Sequence, residues 1–145
     1  MGVERITLDT NILVYTFDAD AGERHKKAVQ VLKKVITLDC VLTLQALSEF
    51  FNTITRKFGL DAKIATHLVE SFQEFFPVII AKPTTLSHAM RLVCDSKLSF
   101  WDAMLCATAR DNGVTLLLSE DFNHEQLLNS IRIVNPFLPN KFWNI

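Results

Sequence analysis

Five short apolar runs, separated by longer stretches with helical periodicity, constrain the fold of this chain most strongly. The runs lie at 6–9, 41–44, 78–81, 116–118 and 131–134. Strands that are apolar along their whole length are typical of parallel sheets whose two faces are both covered, and parallel strands need long, usually helical, crossovers. The pattern therefore predicts an α/β protein in which helices cover both faces of a parallel five-stranded sheet.

The predicted helices occupy the stretches between these strands. They lie at 22–37, 45–58, 61–76, 84–97 and 99–112. Gly59 ends the second helix, Pro77 follows the third, and Ser99 is a suitable N-cap for the fifth. With 145 residues, of which 49% are hydrophobic and 21% charged, the chain has the length and composition of one globular domain. We place that domain at 1–137 and treat 138–145 as an aromatic C-terminal tail.

Composition and charge argue against several classes of protein. The formal net charge is −1, so the chain has no global basic field to capture nucleic acid. The three cysteines, Cys40, Cys94 and Cys106, form no C-x-x-C motif, which favours reduced thiols over a zinc site or a disulfide framework. No apolar stretch approaches the roughly 20 residues that span a bilayer, and the N-terminus lacks a signal pattern. We expect a cytoplasmic protein without a membrane partner.

Four acidic residues stand at the ends of the predicted elements. Asp9 ends the first strand and Asp121 follows the fourth. Glu49 lies in the first turns of the helix after the second strand, and Asp102 lies in the first turn of the helix before the fourth. All four positions fall at the carboxyl edge of a parallel sheet, where such folds bind ligands. Because a buried unpaired carboxylate is costly, the cluster indicates a hard cation such as Mg²⁺ or Mn²⁺ and metal-assisted phosphodiester cleavage.

Each acid also has an ordinary explanation when it is taken alone. Asp9 could start a turn, Glu49 could be an exposed helix glutamate, and Asp102 could complete a capping box. Asp121 could be an acid at a helix start, and its neighbour Glu120 leaves the fourth acidic position open between the two. The metal-site hypothesis therefore depends on the convergence of four acids from distant parts of the sequence.

Other polar residues near these acids are candidates for supporting roles. The residues suited to hydrogen-bond and orient the carboxylates are Thr10, Asn11 and Ser119. The basic candidates for contacting substrate phosphates are Arg56, Lys57 and Lys63. Arg56 is preferred because it shares a helix face with Glu49, two turns further on. The pattern does not distinguish one metal ion from two.

The motifs around the four acids together resemble those of the PIN domain, in particular the VapC-type toxin ribonucleases of prokaryotic type II toxin–antitoxin pairs. They read Leu8-Asp9-Thr10-Asn11-Ile12-Leu13, Ser48-Glu49-Phe50, Trp101-Asp102-Ala103 and Ser119-Glu120-Asp121-Phe122. The resemblance extends over about 5–137, and the aromatic tail departs from the family. It implies a three-layer α/β/α fold, Mg²⁺ or Mn²⁺ binding, endoribonuclease activity on RNA, homodimers and an antitoxin protein that occludes the site.

Alternative functions stay open beside the toxin ribonuclease. The same fold could serve as a non-catalytic protein-interaction module, or as a PIN nuclease that acts in RNA maturation or on DNA. A phosphotransfer domain would need a pair of acids near the first strand, whereas the segment Asp9-Thr10-Asn11 supplies one carboxylate. The presence of all four acids favours a catalytic protein.

Overall fold

Two sets of hydrogen-bonded strands form the centre of the fold. The structure is a computed structural model that describes residues 4–123 and 126–139. Within these residues the strands are β1 (Ile6–Leu8), β2 (Leu42–Thr43), β3 (Val78–Ile79), β4 (Leu116–Leu118), β5 (Leu127–Leu128) and β6 (Ile131–Val134). They form a four-stranded sheet in the order β1-β4-β6-β5 and a two-stranded sheet of β2 and β3.

The strand pairing is parallel except at one edge. Strands β1, β4 and β6 are parallel to one another, as are β2 and β3, whereas β5 runs antiparallel to β6. A parallel bridge between Ile6 and Cys40 joins the two sets, and the Val41 amide donates to the Ile6 carbonyl at 2.9 Å. The predicted α/β class with a mostly parallel sheet is confirmed. The strand count differs, because the main sheet has four strands and one of them, β5, was not predicted.

Six α-helices surround the strands in the described part of the chain. Their bounds are α1 (Thr10–Phe17), α2 (Glu23–Val35), α3 (Leu44–Arg56), α4 (Ala62–Phe75), α5 (Pro83–Asp95) and α6 (Phe100–Asp111), with a short 3₁₀ turn at Ala19–Ala21. Helices α2 to α6 agree with the predicted helices to within about two residues at each end, whereas α1 was not predicted. No helix among residues 4–123 and 126–139 is long and apolar enough to cross a membrane.

Alternate side chains of the strands enter two separate cores. Ile6 and Leu8 face a core with helices α1 to α4, in which Phe50 is also buried. Leu117 faces the opposite side, where it packs with Leu105 of α6. Since the side-chain period of a strand is two, this alternation produces the three layers. Each fully buried leucine of this kind contributes about 1.5–3 kcal/mol to the free energy of unfolding.

Three helices begin at the carboxyl edge of the strands, and a polar side chain caps each of them. Asp9 accepts a hydrogen bond from the Thr10 amide at the start of α1. Thr43 caps α3 and Ser99 caps α6 in the same way. Because a helix N-terminus carries unpaired N–H groups and a partial positive charge, this edge of the sheet favours anionic groups.

The chain after β6 returns to the first two helices. The ring of Phe137 meets that of Tyr15 edge to face, with the centroids 5.5 Å apart. The Arg24 guanidinium lies 5.6 Å from the centroid of the same Phe137 ring. Phe137 therefore packs against α1 and α2, and the predicted domain boundary after it stays a prediction. Of the predicted aromatic tail, residues 140–145 lie outside the described residues.

Candidate active site

Asp9 occupies the most enclosed position at the carboxyl edge. It follows β1 directly, and its amide donates to the Leu118 carbonyl at 3.0 Å, which continues the pairing of β1 with β4. The side chain is 7% exposed. Its Oδ1 accepts from the Thr10 amide at 2.7 Å, and its Oδ2 accepts from the Ser119 hydroxyl at 2.6 Å. Both carboxylate oxygens are therefore held by donors from the two neighbouring strand ends.

Ser119 connects Asp9 to Asp121. While the Ser119 hydroxyl donates to Asp9, its oxygen accepts a hydrogen bond from the Asp121 amide at 3.1 Å. The Asp121 carboxylate accepts from Asn11 Nδ2 at 3.0 Å. The structure thus brings both of these predicted orienting residues, Asn11 and Ser119, into contact with predicted acids.

Glu49 reaches the same edge from α3 through two side-chain donors. Thr10 Oγ1 donates to Glu49 Oε2 at 3.2 Å, and Gln45 Nε2 donates to Glu49 Oε1 at 2.8 Å. Gln45 Nε2 also donates to the backbone carbonyl of Trp101 at 3.1 Å. Since Trp101 precedes Asp102, the amide of Gln45 connects the second acidic position to the third. Sequence reasoning missed Gln45, which lies one helical turn before Glu49.

The charges of three acids influence one another at this edge. Burial, joined by the negative charges of Asp121 and Asp102, raises the pKa of Asp9 to about 6, against the opposing effect of its hydrogen bonds to Ser119 and Thr10. Burial also raises the pKa of Asp121, and the charges of Glu120 and Asp102 add to this effect. Asp102 is half-buried in the first turn of α6. Asp9, Asp102 and Asp121 therefore form one electrostatically coupled group.

Glu120 is engaged away from this group, which distinguishes it from Asp121. Its carboxylate accepts from the Tyr15 hydroxyl and from Arg24 Nε, the latter at 3.0 Å. Burial and the adjacent Glu120 raise the pKa of Tyr15 to about 12, so the phenol stays protonated as a donor. Asp121, by contrast, bonds to Asn11 and Ser119 beside Asp9. The geometry favours Asp121 as the fourth acid of the site.

The predicted basic residues lie further from the acids. Arg56, Lys57 and Lys63 are all exposed. Arg56 comes seven residues after Glu49, which at 1.5 Å per residue is about 10 Å along the axis of α3 and away from the carboxyl edge. Arg24 forms an ion pair with Glu120, the residue before Asp121, at 3.0 Å. Arg24 was not among the predicted basic residues, because no spacing pattern connects it to a residue 96 positions away.

The oxygen-rich side chains at this edge fit a hard divalent cation by their chemistry. Asp9, Asp102 and Asp121 offer the carboxylate ligands that Mg²⁺ and Mn²⁺ prefer, and a positive charge would relieve the repulsion among them. Across residues 4–123 and 126–139, no three His, Cys, Asp or Glu side chains already stand in an arrangement that could hold an ion. The carboxylates of Asp9 and Asp121 accept hydrogen bonds from neighbouring donors, and a cation bound here would share their oxygens with these donors.

The fold is that of an α/β protein with a group of acidic residues at the carboxyl ends of parallel strands. A family model described as the PIN domain matches residues 6–129. This match extends over most of the chain, and the chain therefore belongs to the PIN domain family. The family resemblance noted in the sequence motifs is thereby confirmed. No curated protein sequence matches the chain significantly.

Several solved structures share the fold at low sequence identity. A toxin–antitoxin complex from Klebsiella pneumoniae is 20% identical, with a TM-score of 0.65 over 90% of this chain and 97% of the other. VapC20 of Mycobacterium tuberculosis, a sarcin–ricin loop cleaving toxin, is 20% identical, with a TM-score of 0.62 over 81% and 91%. DNA-bound VapBC from Salmonella typhimurium is 15% identical, with a TM-score of 0.67 over 90% and 96%. At these identities the likeness shows a common fold.

Proposed function

We propose that this protein is a metal-dependent endoribonuclease that hydrolyses phosphodiester bonds of RNA. The observation that carries the proposal is the coupled group of Asp9, Asp102 and Asp121 at the carboxyl edge of the strands. Burial and mutual repulsion raise the pKa of two of these acids, which is costly for a carboxylate without a function. Membership of the PIN domain family supports a nuclease.

The side chains divide into ligands and groups that orient them. Asp9, Asp102 and Asp121 would hold Mg²⁺ or Mn²⁺, with Glu49 completing the site or holding its waters. Such an ion lowers the pKa of bound water, polarises the phosphoryl oxygen and stabilises the charge that develops during displacement. In the hydrolysis, a water oxygen forms a new bond to phosphorus as the ester P–O bond breaks.

Hydrogen bonds to these acids support the proposed orienting role of Thr10, Asn11 and Ser119. Ser119 and the Thr10 amide fix both oxygens of Asp9. Asn11 fixes Asp121, and the Thr10 hydroxyl donates to Glu49. Such contacts hold metal ligands in a defined orientation, and their loss typically lowers metal affinity or activity about 10- to 100-fold.

The similar structures support a toxin role for the proposed ribonuclease. Toxin–antitoxin complexes from several bacteria share the fold over about nine-tenths of this chain, and one of the similar proteins is a toxin that cleaves the sarcin–ricin loop. We therefore propose that the chain is the toxin of a type II toxin–antitoxin pair. Its partners would be an RNA substrate, an antitoxin protein and a second copy of the chain in a homodimer.

A cleavage assay with matched variants tests the catalytic part of the proposal. The purified protein is incubated with total RNA, with single-stranded DNA and with duplex DNA, each with Mn²⁺ or with chelator. We expect cleavage of RNA that needs the ion and that is lost in Asp102→Asn. The control is Asp95→Asn, which neutralises an exposed acid at the end of α5. Cleavage of DNA alone, or equal cleavage by the Asp102 variant, would overturn the proposal.

Co-purification with the product of the neighbouring gene tests the toxin role separately. A small partner that binds the chain stoichiometrically and suppresses its cleavage of RNA is the expected result. Cleavage that is unaffected by every neighbouring gene product would instead indicate a nuclease outside a toxin–antitoxin pair.

A further inference from the structure

A cleft opens directly beside the acidic edge, between helices α3 and α6. It has a volume of about 700 Å³, within the range of small-ligand pockets. Its walls are mainly apolar and include Leu44, Ile80 and Trp101, with Gln45 and Glu49 at one side. The residues that line it include no lysine or arginine. The cleft is therefore suited to an uncharged, flat or apolar group rather than to a phosphate.

Trp101 is the most prominent side chain of this cleft. It is 62% exposed although it immediately precedes the half-buried Asp102. The ring of Phe100 meets it nearly edge to face, with the centroids 4.9 Å apart and the planes at 73°. This contact restrains the indole while most of its surface stays open to solvent. A restrained, exposed aromatic ring is the kind of surface on which single-stranded nucleic acids stack their bases.

Gln45 supplies a second observation, a side-chain acceptor without a hydrogen bond at the side of the cleft. Its Nε2 donates to Glu49 Oε1 and to the Trp101 carbonyl. Because both neighbours are acceptors, the amide orientation is settled by them, and Oε1 lies on the other side. That Oε1 is buried and accepts no hydrogen bond from the described residues. Nucleobases carry N–H donors that could pair with such an acceptor, whereas phosphates carry none.

From these features we infer that the cleft between α3 and α6 binds an unpaired nucleobase of the RNA substrate, which stacks on Trp101. The inference rests on the proposed ribonuclease function and specifies how that site holds its substrate. A hydrogen-bonded path from Thr10 through Glu49 and Gln45 to Trp101 places the base next to the acids. The substrate would then be single-stranded at this nucleotide, because a base within a duplex cannot reach the ring.

A binding experiment with oligonucleotides tests this inference in chelator, where no cleavage occurs. In a Trp143→Phe background, Trp101 is the only tryptophan, so its fluorescence reports on the cleft. The probes are octamers of adenylate and of uridylate, and an abasic octamer with the same number of phosphates. We expect quenching by both base-carrying octamers and none by the abasic one. Equal quenching by the abasic octamer would overturn the inference, since phosphates alone would account for it.

Matched variants separate stacking from general effects on the fold. Trp101→Ala should weaken binding of the base-carrying octamers about 5- to 150-fold, and Trp101→Phe should restore most of that loss. Phe75→Ala should have no effect, because Phe75 has the same 62% exposure but lies on α4, outside the cleft. Unchanged binding by Trp101→Ala would contradict the inference.

Oligomeric state and RNA cleavage identify the other possible outcomes. One outcome is that Trp101→Ala turns a dimer into a monomer while RNA leaves the Trp101 fluorescence of the Trp143→Phe protein unchanged. In that case a second copy of the chain occupies the cleft and the inference is wrong. If Trp101→Ala binds and cleaves RNA as the unaltered protein does, the inference fails while the ribonuclease proposal stands. If the unaltered protein neither binds nor cleaves RNA, both fail. Quenching of Trp101 fluorescence by RNA without any cleavage would support the nucleobase-binding site and contradict the proposed ribonuclease activity.

Discussion

The candidate site has two ends that differ in burial and in chemistry. At the inner end, Asp9 is almost fully enclosed and shares Ser119 with Asp121. At the outer end, Glu49 is exposed and Trp101 borders an open, mainly apolar cleft. The inner end concentrates negative charge in a place where water is scarce, and the outer end exposes apolar surface where water is plentiful.

Both ends are locally unfavourable for the folded chain, but in opposite ways. Buried carboxylates with raised pKa values lose hydration and repel one another, whereas exposed apolar surface forgoes the gain from burial. Binding would remove each disadvantage: a cation at the inner end on the proposed function, and a base at the outer end on our inference. On these proposals, the inner end carries out the reaction and the outer end binds the substrate.

The largest expected effect is on catalysis at the inner end. Asp9→Asn or Asp102→Asn should lower the rate of Mn²⁺-dependent RNA cleavage by several powers of ten, each factor of ten being about 1.4 kcal/mol of activation free energy. Single-turnover cleavage of a labelled RNA measures this change, with circular dichroism to verify folding. Full cleavage activity in either variant would mean that the inner end is not where the reaction takes place.

The next largest expected effect is that of Asp9→Asn on the free energy of unfolding in the absence of metal. Asp9→Asn keeps an N-cap acceptor for α1 and removes the buried charge. The folded-state pKa of Asp9 is raised to about 6, so the folded chain holds this proton more tightly than the unfolded chain. The resulting contribution to the free energy of unfolding is fully present below about pH 4 and is lost as the pH rises through 6. The variant should therefore be more stable than the unaltered chain by about 3 kcal/mol at pH 7.

The pH dependence supplies the control for that prediction. Urea unfolding in chelator at pH 4 and at pH 7 should show that the stability gain from Asp9→Asn largely vanishes at the lower pH, where the aspartic acid is already neutral. A gain of equal size at both pH values would mean that charge burial at Asp9 is not its cause.

Metal binding should stabilise the folded chain by a similar amount. A cation that binds the folded state alone adds about 2.7 kcal/mol at a hundredfold excess over its dissociation constant. Thermal unfolding with increasing Mn²⁺ should show a rising melting temperature, and Asp102→Asn should reduce this response strongly. A melting temperature that does not respond to Mn²⁺ or Mg²⁺ would show that the acidic group is not a metal site.

The smallest expected effects concern the cations near the substrate path. Arg24→Ala should weaken RNA binding a few-fold and lower the salt dependence of the binding constant by up to about one released counterion. Arg24 is a candidate because it pairs with Glu120, the residue before Asp121. Arg56→Ala should have a smaller effect, since Arg56 stands about two helical turns beyond Glu49. Lys33→Ala is the control for exposed charge. Filter binding at several salt concentrations would rank the effects of the three variants on RNA affinity. A larger loss of affinity with Arg56→Ala than with Arg24→Ala would support Arg56, the residue preferred from the sequence, as the phosphate contact.

Most of the secondary structure could be predicted because burial on both faces leaves a clear pattern in the strands and helices. Helix α1 could not, because its residues include Ile12, Val14 and Tyr15, which favour strands. The Asp9 cap and the packing of Ile12 and Leu13 in the core outweigh that preference. Strand β5 was also missed, because its two-residue turn uses Asn129 and Ser130 at positive φ where glycine is the usual signal.

The acids could be predicted to share one edge because the parallel direction of the strands places their segments there. Their partners were harder to identify. Asn11 and Ser119 lie beside acids in the sequence, so local reasoning reached them. Arg24, Tyr15 and Gln45 contact the site through side chains alone, from helix positions whose spacing resembles an ordinary polar or apolar face. Only the packing of the helices reveals which of their residues reach the edge.

The hydrogen bond between Asp9 and Ser119 also has a consequence for the timing of synthesis. It joins residues 110 positions apart in the chain. At a translation rate of about 5–20 residues per second, Asp9 is made roughly 5–20 s before Ser119. A nascent chain therefore contains Asp9 well before it contains β4 and Ser119, which align that carboxylate. On the proposed function, the ribonuclease becomes competent only after the ribosome has passed the codons for β4 and Ser119.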